Sequence, residues 1–237
     1  MERNPLKDLR VRRALSLAID REAIRRQLMD GQSVPAGQMQ AVGLGVADPE
    51  LRPDAFDPGR ARALLAEAGW GGGFRLTIAG PTDRYVNDER ILQAIAQYWE
   101  RIGVRMRVEA MPSNVFFPRS AQYAFSAALT GWQSSAFEPN NIFAPLFLTE
   151  DRARGWGTVN RGRYSNPRID RLYERAVVSM DQQERVRMWR EMMRMAMEDV
   201  PVLPIHHQVN IWATRRGLSY EPRSDEYTLV TSLRLAP

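Results

Sequence analysis

Cysteine is absent from the 237 residues, which excludes disulfides, thiol nucleophiles and thiolate metal sites. The absence fits an oxidising or a reducing compartment equally well. Histidine is nearly absent too: only His206 and His207 occur, side by side. In an extended segment neighbours point to opposite faces, so this pair cannot chelate one ion unaided. No apolar run approaches the roughly 18 residues that would suggest a membrane-spanning helix. The opening MERNPLKDLRVRR is too polar for a secretory signal. Lysine is scarce, because the 33 basic residues set against 28 acidic ones are nearly all arginine, and the net charge of +5 is scattered. Arginine density rises in RNPLKDLRVRR and TRRGLSYEPR, but solvated faces explain this better than phosphate contacts, and no nucleic-acid partner is expected.

What is present is ordinary for a folded chain: 44% hydrophobic residues, arranged with clear periods. Asp8 caps an expected helix running to about Met29, with Val11, Leu15, Ala18 and Ile19 on one face and Gly31 as its stop. Residues 32–56 are rich in glycine and proline without a period, which reads as a long surface excursion. Asp57-Pro58 opens a helix through Ala61, Leu64, Leu65 and Ala68, and Gly69 closes it. Phe74, Leu76 and Ile78 alternate with polar or small residues as in a half-buried strand. Asn87 or Asp88 then starts a helix with the stripe Ile91, Ile95, Trp99 and Ile102, ended by Gly103. Residues 104–110 alternate again, which completes a βαβ unit. Such a crossover sets two strands parallel, and ligands of open α/β sheets gather at strand carboxyl ends. The loop 80–87 therefore lies at a candidate site.

A short helix near 114–120, a strand over 123–130 and a helix over 140–148 are expected next. Asn166-Pro167 starts a further helix, and Asp181 with Glu184 forms a capping box for another, ending before Pro201. PVLPIHH, QVNIWAT and EYTLVTSLRL read as short strands or extended segments. The fold class is thus α/β, mixed with α+β character: a mixed sheet flanked by helices.

Catalytic constellations are weak. His206 or His207 offers a general base, but no Gly-x-Ser-x-Gly elbow or fixed Ser/Asp partner accompanies either. Asp170, Glu174, Asp181 and Glu184 fit caps and exposed faces better than paired catalytic acids. GWGGGF, at 69–74, follows a helix and precedes a strand, the wrong order for a phosphate-cradling loop. Met188, Met192, Met193, Met195 and Met197 with Trp189 fit helix packing better than a pliable binding groove. What remains is a wall without a reaction: Arg84, Tyr85, Trp132 and Phe137 at expected strand ends. Trp132 opens the stretch GWQSSAFEPNN (131–141), another loop between a strand and a helix.

RVRRALSLAIDREAI (10–24), DPGRARALLAEAGW (57–70), WERIGV (99–104), GW followed by EP (131–139), YSNPRIDRLYERA (164–176) and VPVLPIHHQ (200–208) together resemble, in order, the peptide/nickel class of solute-binding proteins of ABC importers. That resemblance implies a periplasmic-binding-protein-like lobe, the second of two that close around a solute. Residues 1–215 would form the lobe and 216–237 a tail returning toward the missing first lobe or hinge. It further implies a periplasmic or extracytoplasmic receptor that delivers a peptide or other small polar solute to ABC permease subunits, with its signal peptide on the missing N-terminal part. No cofactor, metal or catalysis is implied; the alternative is a small α/β hydrolase-like enzyme using His206 or His207. In peptide-binding members the loop after GW carries an aspartate that pairs with the ligand's amino terminus. Ser135 stands at the matching position, with Glu138 as a substitute if it turns inward. The ligand-contacting residues implied are Trp132, Gln133, Ser134, Ser135, Phe137 and Glu138, joined by Arg84 and Tyr85 from the loop 80–87, where Arg84 suits an anionic group.

Overall fold

The computed structural model describes residues 4–133, 138–223 and 225–235. Helix α1 (Leu9–Leu17) is capped by Asp8, whose side chain accepts from Arg10 N. The expected single helix to Met29 is broken, and α2 (Arg21–Gln27) restarts it. The cause is Asp20, whose carboxylate accepts from Ala23 N and recaps the chain. Beside it the buried Arg21 donates to the carbonyls of Pro204 and Ser16 and to Ser16 Oγ. A side chain with that many buried partners fixes the direction in which the second helix leaves.

The excursion 32–56 contains β1 (Ser33–Pro35) and is otherwise turns. Buried Gln38 clasps Asp48 twice, through Asp48 O and Asp48 N. That clasp seats Val46 among the hydrophobic residues of the chain's second half. The excursion is therefore a packing arm.

Helix α3 (Pro58–Glu67), strand β2 (Arg75–Pro81), helix α4 (Asp88–Glu100) and strand β3 (Arg105–Met111) follow as the spacing predicts. Gly73 has φ 75°, and a Cβ there would lie 2.0 Å from Gly103 O, so the glycine-rich turn is a close-packing device. Helix α5 (Ser113–Ala121) leads to β4 (Ala127–Ala128), far shorter than the strand expected over 123–130. It pairs with β2 only through Ile78↔Ala127 and Ala79↔Ala128 and lies at the sheet edge, and the left-handed Tyr123 breaks extended geometry at its start. The sheet order is β3-β2-β4, all parallel.

The expected helix over 140–148 is divided into α6 (Asn140–Ile142) and a π-helical turn, Phe143–Phe147. Pro145 lies inside that turn and has no amide proton for a regular helical bond. Helices α7 (Pro167–Val178) and α8 (Gln182–Asp199) carry the caps read from sequence, Asn166 and Asp181. Strand β5 (His206–Gln208) pairs antiparallel with β1. Strands β6 (Leu218–Tyr220) and β7 (Leu233–Leu235) form a separate antiparallel pair. QVNIWAT, beyond Gln208, joins no ladder among the described residues.

The α/β class with sheets flanked by helices is as expected, but the two strand directions occupy separate sheets, where the sequence predicts one mixed sheet. One core gathers α1, α3, α4 and the inward side chains Phe74, Leu76 and Ile78. Trp99 lies at its centre and donates through Nε1 to Leu15 O at 2.9 Å. A second core joins Phe143 and Phe147 to Met188, Trp189, Met192 and Met193 of α8, confirming helix packing for the methionines. Each large apolar side chain so buried contributes about 1.5–3 kcal/mol.

Candidate functional site

Because β3, β2 and β4 are parallel, the chain leaves all three at the same end of the sheet. The loop 82–87 after β2 is tied to both neighbours. Asp83 Oδ1 accepts from Ser113 N at 2.8 Å, at the start of α5 beyond β3. Tyr85 hydroxyl donates to Gly131 O at 3.2 Å and lies 3.3 Å from Thr130 Oγ1, beyond β4. A Cβ on Gly131 would come within 2.6 Å of the Tyr85 ring, so glycine is required for that approach.

The loop is also held from below. Buried Asp88 accepts from Arg84 N and Tyr85 N through Oδ2, both at 3.0 Å, and from Glu89 N through Oδ1. Asn87, at φ 55°, makes no capping bond and sends Nδ2 to Leu28 O at 2.7 Å. The acid read as a helix cap is therefore the anchor of the strand-end loop. Above it, the exposed Arg84 guanidinium lies 5.2 Å over the Tyr85 ring and forms no ion pair among the described residues.

Trp132 projects from the next loop, 36% exposed, with its indole Nε1 donating to Asn141 O at 2.8 Å. Asn141 Nδ2 donates in turn to Gln133 O at 3.2 Å. Gln133 Nε2 donates to Asp225 O at 2.9 Å, in the tail. The two sides of GWQSSAFEPNN are thereby pinned together. Glu138 turns toward α8, where Arg185 Nε lies 2.8 Å from Oε1. Arg185 Nη1 also donates to Ser179 O at 2.9 Å. Ser134, Ser135 and Phe137 lie outside the described residues.

Arg84, Tyr85, Trp132 and Gln133 thus share one rim, and Glu138 is ion-paired. Sequence reasoning missed Asp88 as a loop anchor and Asn141 and Asp225 as supports for Trp132. The glycine before the tryptophan was the one available signal of a close approach.

The other candidate chemistries are absorbed into structure. Asp170 accepts from Thr149 N and Thr149 Oγ1. Glu174 pairs with Arg154, Asp181 caps α8, and Glu184 accepts from Ser179 Oγ. His206 and His207 stand in β5 against Pro35 and Val34 of β1, not in the sheet that leads to Trp132. Burial pushes both imidazole pKa values down, and His206 lowers that of His207 further. Among the described residues no carboxylate bonds to either, so the hydrolase reading finds no support.

A parallel sheet whose strand ends lead to an aromatic rim is where open α/β folds gather ligands, and the solved structures that superpose on the chain have the periplasmic-binding-protein fold. The chain belongs to the bacterial extracellular solute-binding proteins, family 5 Middle, which its residues 1–153 match. Heme-binding protein A of Haemophilus influenzae is 26% identical over 211 residues, covering 88% of this chain and 38% of that protein. The dipeptide-binding protein of Escherichia coli is 25% identical over 210 residues, covering 87% and 39%. A dipeptide-binding protein from Pseudoalteromonas sp. SM9913, solved in complex with Met-Leu, superposes with a TM-score of 0.84 at 25% identity, over 99% of this chain and 46% of that one. The chain therefore spans less than half the length of these relatives.

Proposed function

We propose that this chain is the second lobe of a two-lobed extracytoplasmic receptor of an ABC importer, which captures a small solute between lobes and hands it to the permease. The observation that carries this reading is the combination of a near full-length superposition on a dipeptide-binding protein with coverage of only 46% of that protein. The fit is complete on one side and leaves a partner lobe to be supplied. Residues 1–215 form the lobe on this reading, and 216–237 the tail that returns to the first lobe. Ile211, Tyr227, Val230 and Leu235 are exposed along and before that tail. An isolated two-stranded pair such as β6–β7 is marginal in water, so a covering lobe explains its apolar surface.

The solute-contacting set proposed is Trp132, Gln133, Ser134, Ser135, Phe137, Arg84 and Tyr85, with Glu138 as a neighbour whose charge is already compensated. Ser135 supplies a hydroxyl where peptide receptors place an acid, and Arg84 offers a cation without an ion pair among the described residues. These features favour a solute with an anionic group and without a free α-amine. Lobe closure then needs only binding energy that differs between open and closed states.

The test is small-angle scattering of the complete two-lobed protein, whose reading frame should encode a leader and a first lobe ahead of this segment. Solute-loaded protein should be more compact than solute-free protein. A frame without a first lobe would refute the reading.

A further inference from the structure

Two bulky residues that are not among the rim residues adopt left-handed backbone: Tyr123, ahead of β4, at φ 58° and Arg163 at φ 51°. Side chains with a Cβ disfavour this region, and bulky ones there are uncommon. The two residues are stacked on each other, the Arg163 guanidinium lying 4.4 Å from the Tyr123 ring centroid. Arg161 reaches the same ring at 5.9 Å. Strained residues that cluster in this way persist when their surroundings fix them, and they concentrate at functional sites.

The surroundings do fix them. Buried Asn160 accepts from Tyr164 N at 2.9 Å and donates to Leu148 O and Tyr164 O, which clamps the backbone carrying both arginines. Tyr123 hydroxyl donates to Glu150 Oε2 at 3.2 Å. Glu150 is in turn approached by Arg152, at 3.3 Å. Arg161 spends one donor on Thr158 O, at 2.9 Å. Neither Arg161 nor Arg163 forms an ion pair among the described residues. Two cations are thus mounted on one aromatic shelf, on a clamped loop, with most of their donors unspent among the described residues.

We infer that Arg161 and Arg163, held on Tyr123, form a binding site for a phosphate-type oxyanion. Planar guanidinium forks match the oxygens of such a group in paired hydrogen bonds, and a stacked guanidinium is already ordered before the anion arrives. The anion comes either from free phosphate or from a phospholipid headgroup. None of Tyr123, Arg161 and Arg163 belongs to the proposed solute-contacting set, so the inference does not depend on the solute reading.

The test titrates the chain with inorganic phosphate, and separately with phosphatidylglycerol or phosphatidylcholine vesicles, following the arginine Nε–H resonances. Saturable shifts of Arg161 and Arg163 with phosphate support a free-ion site. Binding to phosphatidylglycerol but not phosphatidylcholine vesicles supports a headgroup site. The double variant Arg161→Gln/Arg163→Gln should weaken either by about tenfold or more, roughly 1.4 kcal/mol. Tyr123→Asn tolerates the left-handed backbone and keeps both arginines, so it should weaken binding while the unfolding midpoint holds. No binding of any probe, or binding unaltered in these variants, would overturn the inference.

Discussion

Glu138 and Arg185 face each other across 2.8 Å, from the loop after Trp132 to the first turns of α8. Both are largely covered, with side-chain exposures of 28% and 24%. The carboxylate read as the substitute for Ser135 is therefore already matched by a cation.

Glu138→Gln should leave solute retention by the proposed two-lobed receptor within about twofold and cost about 1 kcal/mol in urea unfolding, the upper range for a partly exposed pair. Loss of retention with stability intact would mean that Glu138 faces the solute.

Gln133 joins the Trp132 loop to the tail 92 residues away through Asp225 O. Gln133→Glu removes the donor and sets a carboxylate against a carbonyl, at similar size. The Trp132 indole N–H, identified by its loss in Trp132→Phe, should shift and exchange faster with solvent. An unaltered indole signal would show that the tail does not support the tryptophan.

Arg21 is the most consequential buried cation among the described residues, with three hydrogen bonds to Ser16 and Pro204. Burial lowers its pKa, and the nearby Asp54 opposes that shift. Arg21→Met should destabilise by about 2–4 kcal/mol, because Ser16 O and Pro204 O lose charged donors. Denaturant unfolding reads this directly, and a cost below about 0.5 kcal/mol, the ordinary range of surface changes, would contradict it.

His206 and His207 set an acid limit on stability. Both are half-buried, and that burial lowers their pKa values from the ordinary 6.5. Above that value both states are neutral and nothing changes. As pH falls below it, the unfolded chain takes up protons that the folded chain resists, so stability declines until the folded pKa values are passed. His206 Nδ1 is also buried without a partner among the described residues. The thermal midpoint should therefore fall from pH 6.5 downward, and His206→Gln/His207→Gln should flatten that fall. Equal slopes in both proteins would assign the acid sensitivity elsewhere.

Much of this was legible in the sequence because it is local. Asp57-Pro58, Asn166-Pro167 and Asp181 state their helix starts, and the alternation around Leu76 and Ile78 states β2 and its buried face. What was not legible depends on distant partners. Asp20 reads as a mid-helix residue until Arg21 is seen bonded to Pro204. The strand over 123–130 shrinks because only β2 is there to pair with it. At the rim, Trp132, Arg84 and Tyr85 follow from strand-end logic. That Glu138 would meet Arg185, 47 residues later, follows from tertiary packing alone.

The proposed role of Trp132 as a wall of the solute site is tested most directly by mass spectrometry of small molecules that co-purify with the complete two-lobed protein, comparing wild type with Trp132→Ala. The expected result is one small polar species retained by the wild type and lost from the variant, with both proteins folded. Retention of the same species at the same occupancy by Trp132→Ala would contradict it.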